Sequence, residues 1–206
     1  MTATVSTAPA AARPRRSRYS AVAMALHWTI AALMITNIGL AWYFNSLPHA
    51  LRSPPTQLHK SIGITVLLLT LVRIAWRLVN RPPPLPATMR PWEVWAARSV
   101  HVLLYVIMLG MPLSGWAMVS ASPLIKVHPT VLYGVIPWPT FPFPGLDSDA
   151  LHSAHKTLEF SHGLLAKLAY VTITLHVAAA LKHQFLDRDD VVARMIPFIP
   201  LRRGGA

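Results

Sequence analysis

Ten histidines stand in a chain of 206 residues that is 53% hydrophobic and only 13% charged. Their spacing is regular. His162 and His176 are 14 residues apart. On a helix that is about 21 Å of rise, with both side chains on nearly one face. His59 and Arg73 repeat the interval. An ionisable side chain inside an apolar segment is costly, and by default it marks a functional site. A single such histidine is as readily a neutral imidazole bonded to a neighbouring helix. Several sharing face and depth argue for ligation. The chain has no cysteine. This excludes disulfides, thiol catalysis, cysteine-held iron–sulfur clusters and covalently attached c-type haem.

Four apolar stretches must position these residues: 19–44, 58–79, 94–119 and 158–183. Each is near the roughly 20 helical residues that cross a membrane core of about 30 Å. The expected fold is all-α, an integral membrane four-helix bundle. One domain spans 18–197, between a disordered basic tail over 1–17 and a C-terminal tail over 198–206. Pro48, Pro54 and Pro55 break the first pair of segments, and Pro82–Pro86 and Pro91 the second. The stretch 120–157 holds six prolines, from Pro123 to Pro144. It reads as an irregular cap over one membrane face.

The charge balance of +12 suggests nucleic acid, anionic lipid or topology-setting loops. Fourteen Lys and Arg fall on the side of the termini, among them Arg73, Arg77, Arg81, Lys182 and Arg194. Four fall on the other: Arg52, Lys60, Lys126 and Lys156. The asymmetry predicts cytoplasmic termini and leaves no need for a nucleic-acid partner.

Depth then sorts the histidines. His176 lies about 9 Å from the inner end of its helix, and His27 about 12 Å from the start of the first. His162 and His59 both lie about 30 Å from the inner end. One pair therefore meets near each membrane face: His27 with His176, and His59 with His162. Two such pairs fit bis-histidine ligation of two b haems, which leaves no open iron position and suits electron transfer. His101 also reaches the inner level, so His27–His101 is an alternative inner pair. Otherwise His101 serves a haem propionate or a quinone. Zinc would want further ligands at one level. Arg73 reaches the inner depth, where a propionate is the obvious partner; an interfacial arginine is the plainer reading. Lys60 and Lys156 lie near the outer pair and could attract an anion. Gly39, Ser61, Gly63, Gly110 and Gly115 permit close approach of helices or haem.

These segments resemble the bacterial cytochrome b561 family. The resemblance rests on Arg18–Ser20 with Leu26–Trp28, and on Leu58–Gly63 with Leu71–Arg77. It continues through His101 and Pro112–Trp116, then Leu175–His183 and Arg188–Pro197. It implies a multi-pass protein of the bacterial inner membrane with two non-covalent b haems, ligated by His27 with His176 and His59 with His162. It further implies oxidation of an outer donor, similar to superoxide oxidases, and reduction of ubiquinone. The alternative it implies is a cytochrome b subunit linking a partner dehydrogenase or hydrogenase to the quinone pool. The long proline-rich stretch, with His128, His152 and His155, departs from the compact members and leaves the donor site open.

Overall fold

A computed structural model describes residues 18–86 and 89–201. The expected tail over 1–17 and residues 202–206 lie outside the described residues. Four long helices dominate: α1 (Ala21–Ser46), α2 (Ser53–Val79), α3 (Pro91–Ser120) and α4 (Ser148–Lys182). All four are long and apolar enough to cross a membrane. Each packs against the next in sequence, as an up-and-down bundle requires.

The helix starts follow local chemistry. Ser20 Oγ accepts the amide of Ala23, and Asp147 Oδ1 that of Ala150. Such side chains satisfy amides that the first turn leaves without a partner. Pro54 and Pro55 were expected to keep α2 from starting before 58. They lie inside its first turn instead, where a missing N–H costs nothing. Pro91 opens α3 in the same way, and Glu93 accepts the amide of Arg90. Pro112 lies within α3, which continues through it.

The stretch 120–157 is more ordered than its prolines imply. It holds a 3-10 turn (Pro123–Lys126) and a short antiparallel pair, β1 (Val131–Leu132) with β2 (Ile136–Pro137). Its last part is helical, because α4 begins at Ser148 rather than at 158. The hairpin is tied to α2 by side chains. The amide of Tyr133 donates to Ser61 Oγ at 2.9 Å, and its hydroxyl pairs with Thr65 Oγ1 at 2.6 Å. Gln57 donates to the carbonyl of Pro129, and Trp116 to that of Pro139. Trp116, Trp138, Phe141 and Phe143 stack in series beside them.

The interior is thin. Ile30, Ile62, Val66 and Met108 form its apolar centre, with Leu33, Leu69 and Tyr105 around them. Outside, Leu78, Val79 and Phe160 are among many exposed large hydrophobics. In water such a surface would aggregate; in a bilayer it faces acyl chains.

Candidate functional site

Two imidazole pairs bridge α4 to its neighbours. Near one end of the bundle, His27 of α1 faces His176, with ring centres 6.2 Å apart and planes at 74°. Near the other end, His59 of α2 faces His162 at 6.4 Å and again 74°. All four rings are half-buried. His101 of α3 touches His176 from another side, at 5.4 Å and 79°. Three of these histidines thus gather near one end of the bundle, and two near the other.

The rings of His59 and His162 are oriented by hydrogen bonds. His59 Nδ1 lies 3.1 Å from the backbone oxygen of Asn37. A carbonyl only accepts, so Nδ1 carries the proton and Nε2 keeps its lone pair. His162 Nδ1 lies 3.0 Å from Ser114 Oγ, whose own proton goes to the carbonyl of Met111. Ser114 therefore accepts from His162, and Nε2 is again free. This is the arrangement in which metal-binding imidazoles are fixed by their second nitrogen. Gly115 supports it sterically. A Cβ there would stand 3.1 Å from His162 Cε1, so the ring would have to give by a few tenths of an ångström.

The spacing suits a metal between the rings. Two imidazole–metal bonds of about 2 Å each, with the inset from nitrogen to ring centre at both ends, span about 6 Å. The residues present fit a b-type haem at each pair. His101 Nδ1 is held by the carbonyl of Ala97 in its own helix, at 2.6 Å.

The cationic candidates differ in setting. Arg73 points inward, donating from NH1 to the carbonyl of Ala23 at 3.1 Å and from Nε to Tyr105 Oη at 3.2 Å. Lys60 is half-buried on α2, next to His59. Lys156 is exposed and pairs with Glu159 at 3.1 Å, which offsets its charge. His155 is engaged by the carbonyl of Met118. Sequence reasoning passed over Ser114, Tyr105 and the carbonyl of Asn37. Only the position of Ser114, one residue before Gly115, hinted at a role; the other contacts depend on neighbouring helices.

Lipid-facing helices that hold half-buried imidazole pairs near both ends suit a multi-pass membrane cytochrome of the b type. The family model for prokaryotic cytochrome b561 matches residues 18–198, and the chain belongs to that family. It is 32% identical to cytochrome b561 homolog 2 of Escherichia coli K12, over 87% of this chain and 91% of the relative. It is 28% identical to a probable superoxide oxidase, CybB, of Yersinia pestis, over 87% of this chain and 96% of that one. Cytochrome b561 homolog 1 of Escherichia coli K12 is also 28% identical, over 88% and 98%. Four spanning helices and bacterial relatives place the chain in the bacterial inner membrane, where b-type haem serves electron transport.

Proposed function

We propose that this protein carries electrons between two b haems, from an anionic donor outside the membrane to ubiquinone. His59 and His162 hold the outer haem; His27 and His176 hold the inner one. The observation that carries this reading is the repeated geometry of the two pairs. They share spacing and tilt although they join different helices to α4. That likeness favours His27–His176 over His27–His101.

When bound, the two haems supply one-electron relay across the bilayer. The protein's own groups set the terms. The Nδ1 bonds to Asn37 and Ser114 hold the outer rings in place. Arg73 offers a guanidinium for an inner propionate, and Tyr105 and Ala23 hold it in position. His101 stands beside His176, where it can bond a propionate or a quinone carbonyl. The donor proposed is superoxide, in keeping with the relative from Yersinia pestis. Two superoxide ions lose one electron each and become dioxygen. Ubiquinone gains both electrons, and two protons, and becomes ubiquinol. Lys60, half-buried beside the outer ligand, attracts the anion.

Stopped-flow mixing of the purified, oxidised holoprotein with superoxide tests this. Haem reduction is expected without any partner protein, followed by reoxidation on adding ubiquinone. Lys60→Glu should slow the first phase at low salt, with the difference shrinking as screening rises. Haems that stay oxidised under superoxide, yet accept electrons from a separate dehydrogenase or hydrogenase, would replace this reading with that of a partner-dependent subunit.

A further inference from the structure

At the end of the bundle near His27 and His176, a cavity opens between the start of α1, the end of α2 and Tyr105 of α3. It is open to its surroundings, with a cavity volume of about 40 Å³. Arg18, Arg73, Arg77 and Arg81 are among its lining residues, and no Asp or Glu is. Ion pairs among the described residues include Lys156–Glu159, Lys182 with Glu93 and Asp187, and His183 with Asp187 and Asp189. None of them involves these arginines.

Three of the four are held by neutral groups. Arg18 donates to the carbonyls of Ile196, Pro197 and Ile199. Arg73 is held by the carbonyl of Ala23 and by Tyr105. Arg77 sits 5.8 Å from the centre of the Tyr105 ring. A helix C-terminus favours one cation in its last turn, and the topology rule favours positive charge on this side. Neither accounts for four arginines lining one cavity. Leu78 and Val79, in the last turn of α2, are 80% and 83% exposed. An anionic head against the arginines would lay its acyl chain along that apolar surface. Basic pockets between membrane helices on the cytoplasmic side suit such headgroups.

We infer that this cavity binds the phosphate of an anionic phospholipid, held by Arg77 and Arg81 at its mouth. Arg73, at its floor, stays with the inner propionate. Arg73, Ala23 and Tyr105 are shared with the proposed inner-haem site, so the inference rests in part on that reading; lipid response and haem content are therefore measured separately.

The test uses holoprotein stripped of lipid in a neutral detergent, with heat resistance followed by haem absorbance. Cardiolipin should raise the thermal midpoint and phosphatidylcholine should not. Native mass spectrometry of unstripped protein should find anionic lipid retained in preference to zwitterionic. Arg77→Gln with Arg81→Gln should keep both haems and need about 30-fold more cardiolipin, at about one surface-cation increment per arginine. An equal response to phosphatidylcholine, or an undiminished response in the double variant, would overturn the inference. So would full stabilisation by inorganic phosphate alone, which would indicate a free-anion site. Loss of the inner haem from the double variant would give the cavity to the propionates. If that variant fails to fold, the unmodified protein still decides: no retained anionic lipid and no cardiolipin preference refutes the site.

Discussion

At the scale of single residues, the histidines are told apart by what else holds them. His59 and His162 each have Nδ1 bound to a fixed oxygen, so that Nε2 is free to face its partner. Replacing either with alanine should remove one haem, the same in both variants, and leave the other. His27→Ala and His176→Ala should remove the opposite haem. His101→Ala should retain both, because its nearest constraint is Ala97 in its own turn. Pyridine haemochrome assays and redox titration read the outcome; loss of a haem from His101→Ala with retention in His27→Ala would reverse the inner pairing. Ser114→Ala tests orientation separately from ligation. Removing a partner of this kind commonly weakens metal affinity 10- to 100-fold. Outer haem occupancy should fall in Ser114→Ala on dilution, and Ser114→Thr, which keeps the acceptor, should restore it.

At the scale of elements, the outer hairpin is joined to α2 through few contacts. Ser61 is fully buried and accepts from Tyr133, while its own proton goes to Gln57. Ser61→Ala leaves the Tyr133 amide without that acceptor. That bond is part-buried, so its loss falls toward the lower end of about 1–3 kcal/mol. Tyr133→Phe removes only the exposed bond to Thr65, and should cost about 1 kcal/mol or less. Thermal denaturation of the two holoproteins in detergent should rank Ser61→Ala below Tyr133→Phe; the reverse order would mean that the cap is held by its aromatic stack instead. Tyr133 also has φ of +52°, a conformation favouring glycine or asparagine. The bonds on both its amide and hydroxyl help to hold that turn. At the opposite end, Trp28 donates to the carbonyl of Met195, and Tyr19 to that of Arg194. These bonds join the entry of α1 to the segment after α4.

At the scale of the whole molecule, orientation rests on fourteen Lys and Arg against four. The chain has no native cysteine, so single cysteines report sidedness without background. Phe198 is 92% exposed beyond α4, and Val135 is 78% exposed in the outer hairpin. In intact cells, Val135→Cys should react with a membrane-impermeant maleimide and Phe198→Cys should not. Lysis should make both reactive. The opposite pattern would place His59 and His162 on the cytoplasmic side and exclude the proposed outer donor.

Much of this architecture was already legible in the residue order. Apolar runs near 20 residues dictate spanning helices, because no other open-chain structure satisfies its backbone in lipid. The 14-residue interval dictates that His162 and His176 share a face at opposite depths, because helix rise and twist are constants. What could not be read were the contacts made between helices. Pro54 and Pro55 look like breaks until the start of α2 at Ser53 places them in a first turn. The stretch after Ser120 looks irregular until Ser61, Thr65 and Gln57 of α2 bind it. Ser114 is an ordinary helical serine until α4 brings His162 within 3.0 Å. Arg18, Arg73, Arg77 and Arg81 read as scattered topology charges, and only packing gathers them around one cavity. Periodicity and charge counts are local properties of the chain. Hydrogen bonds and cavities depend on side-chain direction and helix rotation, which are set only when all four helices pack together.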